Sequence, residues 1–122
     1  MRRVLVIDDE QSYRKHLKRA LCENGYRVEV AANEREARDL ALLFRPDMVI
    51  ADWMLKDDVN GLELADWFRE VNPELSVVLI TGFPVASLKP DEAWGGRLEF
   101  LEKPFRMKTL LDAVRRVAGS ET

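Results

Sequence analysis

The acidic, hydroxyl and lysine side chains that could do chemistry in this chain fall where short apolar runs end. Asp8, Asp9 and Glu10 follow Arg3–Ile7, Asp52 follows Met48–Ala51, Thr81 follows Ser76–Ile80, and Glu102, Lys103 and Pro104 follow Leu98–Leu101. The carboxylates of Asp8, Asp9 and Asp52, brought together, repel one another and raise their pKa values unless a cation compensates. Mg²⁺ suits such a site, because it takes one or two carboxylates and completes its shell with water and phosphate oxygens. The longer ligand spacing of a calcium loop is absent. With a divalent ion and the Lys103 ammonium in place, an oxygen of Asp52 can attack a phosphoryl group, since alignment and charge stabilisation carry most of that catalysis. The product is an acyl phosphate. Thr81 then offers a hydroxyl donor to one phosphoryl oxygen, and Lys103 pairs with another. Singly, Asp9 could be a helix cap, Thr81 an ordinary β-former and Lys103 a solvated charge. The specific signal is their recurrence at successive strand ends.

Convergence requires elements that bring those ends to one edge. Five short runs, Arg3–Ile7, Val28–Ala31, Met48–Ala51, Ser76–Ile80 and Leu98–Leu101, alternate with helix-period segments. That pattern predicts an α/β fold, a doubly wound five-stranded parallel sheet with helices on both faces. Right-handed crossovers then place all strand carboxyl ends along one edge, where such sheets bind ligands. The helical stripes are Tyr13, Leu17 and Leu21; Ala37, Leu40, Ala41 and Phe44; Leu64, Ala65, Phe68 and Val71; and Leu110, Ala113, Val114 and Val117. Each reads as core. Asn24-Gly25, Asn33 and Asn72-Pro73 punctuate the helices. The segment from Phe83 to Arg97 contains Pro84, Pro90 and Gly95-Gly96, so the fourth helix is expected to be short or irregular and to start near Pro90.

The 122 residues predict one domain spanning 1–122, and 47% hydrophobic with 34% charged residues fits a folded soluble chain. A net charge of −3 supplies no global basic field for direct nucleic-acid binding. Val4–Ile7 is too short for membrane insertion or a signal peptide, which makes the cytoplasm the expected compartment. Cys22, without a partner for a disulfide or zinc site, reads as a small core residue. His16 reads as a surface residue away from the strand ends.

The segments VLVIDDE, MVIADWML with NGLEL, VLITG and FLEKPF resemble response-regulator receiver domains of two-component signalling over nearly the whole chain. The resemblance implies a flavodoxin-like sheet of strand order 2-1-3-4-5. It also implies a phospho-acceptor at Asp52 that receives its phosphoryl group from a histidine kinase or phosphotransfer protein in a Mg²⁺-dependent reaction, with Mn²⁺ able to substitute. Asp9, Asp52 and the backbone carbonyl of Met54 would hold the metal, with Asp8 acting through water. Lys103 would be the phosphate-pairing lysine, and Thr81 and Phe100 the switch pair. Lys103-Pro104 would be a cis peptide. Such a domain is not an enzyme beyond catalysing its own phosphorylation and dephosphorylation, and a homodimer is compatible with it.

Three features depart from the common pattern. The loop Leu55-Lys56-Asp57-Asp58-Val59-Asn60-Gly61 has lysine where proline is frequent and places Gly61 one residue late, which resembles receivers attached to hybrid sensor kinases. Met54 and Phe83 put bulky apolar groups two residues beyond Asp52 and Thr81, predicting restricted water access and slow self-dephosphorylation. The Pro- and Gly-marked stretch before Arg97 predicts an unusual output face, with Trp94 packed against the fold. A pseudo-receiver, a constitutive interaction module that uses no phosphate, is the alternative that the intact acidic set argues against. A metal-dependent phosphatase would place a second acid where Met54 stands. A chain ending at Thr122 just past its last helix is expected to carry no DNA-binding or enzymatic effector of its own, whether as a stand-alone regulator or as a fragment of a larger one; the sequence identifies neither kinase nor downstream target.

Overall fold

The β-branched runs form five strands: β1 (Arg3–Ile7), β2 (Arg27–Ala31), β3 (Met48–Asp52), β4 (Ser76–Thr81) and β5 (Leu98–Glu102). In the computed structural model, which describes residues 2–53, 60–82, 84 and 94–118, they make one parallel sheet of order β2-β1-β3-β4-β5. This is the flavodoxin-like arrangement expected. Four helices are described: α1 (Gln11–Glu23), α2 (Glu34–Leu43), α3 (Gly61–Val71) and α4 (Met107–Ala118). The expected helix near Pro90, and the residues Met54–Val59 and Phe83, lie outside the described residues.

Alternation along the central strands divides the core in two. Leu5, Ile7, Val49, Ala51, Val77 and Leu79 face α2 and α3 together with Trp94 and Phe100. Val4, Val6, Met48, Ile50, Val78 and Ile80 face α1 and α4. Strands covered on both faces must be apolar at successive positions, which is why their sequences read as unbroken Val/Ile/Leu runs. Trp94 is 1% exposed, as packing against the fold requires.

Local signals set the helix ends. Asn33 caps α2 by accepting from the Glu36 amide at 2.9 Å, and the Glu36 carboxylate accepts in return from the Ala32 amide at 2.8 Å. Gly25 takes φ of +89° just past α1, a conformation that costs glycine no side-chain clash. Asn72 closes α3.

Two expectations fail. Cys22 is exposed because it lies off the Leu17/Leu21 stripe that α1 turns to the sheet. Val71 is 45% exposed at the last turn of α3, although Leu64, Ala65 and Phe68 of the same stripe are buried. At that opposite edge of the sheet a cavity of about 400 Å³ is lined in part by Phe68, Val71 and Leu75; it contains none of the predicted site residues.

Candidate functional site

Register brings the polar strand ends level. Ile7 pairs with Ala51, so Asp8 emerges beside Asp52, while Thr81 pairs with Glu102, one residue before Lys103. The three carboxylates of Asp8, Asp9 and Asp52 place ligand oxygens within 4.8 Å of one another. Lys103 Nζ lies 3.2 Å from Asp52 Oδ2. Thr81 is 1% exposed at the end of β4. Backbone bonds lock these ends: the Asp8 amide donates to Ala31 O at 3.1 Å, the Trp53 amide to Ile80 O at 2.7 Å and the Lys103 amide to Thr81 O at 2.7 Å. The Lys103-Pro104 bond is cis.

Two contacts that the sequence reading missed fix the geometry further. Arg14, on the first turn of α1, donates from its guanidinium to the Asp8 carbonyl at 2.7 Å and ties that helix to the end of β1. Gly61 starts α3 directly against β3. Its amide donates to Trp53 O at 2.6 Å, and a Cβ there would meet Asp52 O at 2.5 Å. The late position of Gly61 in its loop was visible, but its contact with β3 needs the fold.

The electrostatics follow from burial and crowding. The Asp8 carboxyl is held above its ordinary pKa, first by burial, then by the neighbouring charges of Asp52 and Asp9, against the lowering effect of the Glu10 amide and Lys103. Asp8 Oδ1 accepts from that amide at 2.9 Å. Its Oδ2 is buried without a hydrogen-bond partner among the described residues, a costly state for a carboxylate oxygen. An orphaned oxygen beside two further carboxylates fits a hydrated divalent cation, whose water would supply the missing donor. Lys103 is opposed by burial, yet the Asp52 charge and hydrogen bond outweigh it and raise its pKa, so the ammonium persists.

Around this pocket, Phe100 is buried and packs on Trp53 with ring centroids 5.3 Å apart at 57°. Glu10 is the N-cap of α1 and no side-chain cap bond forms there, so Asp9 is not the cap of that helix. His16 is exposed on α1. The backbone carbonyl assigned to Met54 falls outside the described residues.

The family model of the response regulator receiver domain matches residues 4–115. A response regulator, MprA of Mycolicibacterium vanbaalenii, is 36% identical over 120 residues, covering 98% of this chain and 52% of that protein. The chain thus spans about half the length of the curated relatives it matches. Among solved structures, the chemotaxis protein CheY4 of Vibrio cholerae has a TM-score of 0.83 at 31% identity, covering 96% of this chain and 98% of that one. The response regulator TrrA of Thermotoga maritima, in complex with Mg²⁺-BeF, has a TM-score of 0.78 at 30% identity and coverages of 96% and 99%.

Proposed function

The chain belongs to the response regulator receiver domain family, and from that premise we propose that it is a phosphorylation switch whose acceptor is Asp52. The observation that carries this reading is the Lys103 ammonium 3.2 Å from Asp52 Oδ2 within a cluster of three carboxylates. The donor is a phosphohistidine of a histidine kinase or phosphotransfer protein. Asp52 reacts as the carboxylate, so it has no proton to lose. Its oxygen forms the new O–P bond as the donor P–N bond breaks, and the imidazole leaves with that bond's electron pair.

Asp9 and Asp52 would hold Mg²⁺ directly, together with the Met54 carbonyl, and Asp8 would hold it through water. When bound, the ion supplies positive charge opposite the phosphoryl oxygens; the Mg²⁺-BeF complex of TrrA supports the same chemistry here. Lys103 neutralises a further oxygen and keeps the approaching dianion from being repelled by Asp8 and Asp9. The acyl phosphate carries about −2 where the Asp52 carboxylate carried −1, so phosphorylation adds about one negative charge to a partly buried pocket. Thr81 turns its hydroxyl to a phosphoryl oxygen, and Phe100 repacks against Trp53 as the strand ends move. This biases a two-state equilibrium of the surface beyond β4 and β5. Phe100 lacks the hydroxyl of a tyrosine, so packing alone sets its two positions. The domain turns over no other substrate, and its effector, linked or separate, reads that surface. Among the described residues no helix is long and apolar enough to cross a membrane.

Intact-mass measurement after incubation with acetyl phosphate and Mg²⁺ tests this reading. The expected result is one phosphoryl adduct, lost on chelation of Mg²⁺ and in Asp52→Asn. Absence of an adduct with both acetyl phosphate and a phosphorylated histidine donor would refute it in favour of a pseudo-receiver.

A further inference from the structure

Lys103 has a second neighbour besides Asp52. Its Nζ lies 4.6 Å from the centroid of the Tyr13 ring and over its face. The position of that ring is constrained. Arg14, the next residue, is bonded to the Asp8 carbonyl, and Phe105 packs on Tyr13 with centroids 6.4 Å apart at 45°. The ammonium is therefore held between a carboxylate and an aromatic face.

We propose that Tyr13 is a positioning residue for phosphoryl transfer, its ring face cradling the Lys103 ammonium at Asp52. This deepens the phospho-acceptor reading and rests on it. An aromatic face attracts a cation through its quadrupole without accepting a conventional hydrogen bond or adding a negative charge. A carboxylate in that place would compete with the incoming phosphoryl group for the lysine. The ring leaves the ammonium donors available for phosphoryl oxygens while confining a long, flexible side chain. Confinement lowers the rotamer entropy that Lys103 must lose when it closes on the phosphorylated acceptor.

The test compares the wild-type chain with Tyr13→Phe and Tyr13→Leu, all with urea unfolding measured alongside. Beryllofluoride with Mg²⁺ serves as the phosphoryl probe, and the Lys103 ε-methylene proton shift reports the ring directly. The proposal expects Tyr13→Phe to match wild type within twofold. Tyr13→Leu should bind beryllofluoride about three- to tenfold more weakly, the size of a partly desolvated cation–π contact. The ε-methylene signal should be displaced upfield by the ring current in the wild type and Tyr13→Phe, and return to the ordinary lysine position in Tyr13→Leu. Equal affinity in all three proteins overturns the proposal, as does an equal loss in Tyr13→Phe and Tyr13→Leu, or a wild-type methylene signal already at the ordinary position. Failure of the phospho-acceptor reading looks different: the wild type then binds no beryllofluoride and forms no adduct at Asp52, and the proposal falls with it.

Discussion

Asp8→Asn should stabilise the metal-free protein while weakening its response to Mg²⁺. The asparagine keeps the oxygen that accepts from the Glu10 amide at 2.9 Å, and it replaces the orphaned, buried Oδ2 with an NH₂ donor. That donor faces a site where two other carboxylates have oxygens within 4.8 Å. At an effective dielectric of 20, one like-charge pair at 4.8 Å costs about 3.5 kcal/mol. Attraction from Lys103 and solvent around Asp9 offset part of this, leaving an expected gain of about 1–2 kcal/mol. With a urea m-value of about 2 kcal/mol/M, the midpoint in EDTA should rise by about 0.5–1 M. The sign of the pH dependence is fixed by the raised Asp8 pKa. The native state favours protonated Asp8, so this carboxyl's contribution is fully present below its ordinary value of 3.8 and is lost as pH rises through the raised one. The advantage of the asparagine variant should therefore grow from acid toward neutral pH. Mg²⁺ at ten times its Kd adds about 1.4 kcal/mol to a protein that binds it only when folded. The wild type should gain by that amount and Asp8→Asn by clearly less. Equilibrium urea unfolding followed by circular dichroism, with EDTA and with Mg²⁺, measures both effects. A variant less stable than wild type in EDTA at neutral pH would refute the account of the cluster as mutually repelling carboxylates.

Gly61→Ala should cost about 1–3 kcal/mol and slow phosphorylation, because its Cβ would strike Asp52 O at 2.5 Å; urea midpoints and intact-mass time courses check it, and full activity at wild-type stability would count against the contact. Ser76→Ala should cost about 1–3 kcal/mol by leaving the Val117 carbonyl, now bonded to Ser76 Oγ at 2.7 Å, without its partner; thermal unfolding should show the loss while phosphorylation remains. Met54→Asn should shorten the phospho-Asp52 lifetime by admitting water; loss of the mass adduct after donor removal measures it, and an unchanged lifetime of seconds in both proteins would sink the idea. Trp53 follows Asp52 in sequence and packs on Phe100, so Mg²⁺ should change its emission in the wild type and not in Asp52→Asn.

Much of the architecture was legible because parallel strands buried on both faces leave a simple record. VLVI, MVIA and SVVLI have no polar interruption, and each stops where the sheet reaches its carboxyl edge. The polar residues closing these runs then mark the site. Helix faces were nearly as clear, but periodicity does not say where a helix outruns the sheet. That is why Val71, in phase with Leu64 and Phe68, is exposed. Cys22 failed for a related reason: general burial preference was applied to a position outside the stripe.

The residue types and their order along the chain determined the alternation of strands and helices, the presence of an acidic pair, a third carboxylate, a hydroxyl and a lysine at strand ends, and the family they resemble. Only the tertiary structure decided which atoms meet: Lys103 against Asp52 and the Tyr13 face, Arg14 on the Asp8 carbonyl, Gly61 against β3, and one Asp8 oxygen buried without a partner among the described residues. Periodicity records which side of an element faces inward. The contacts of the site join residues far apart in the chain, and their distances are set by strand register and by how each helix seats on the sheet.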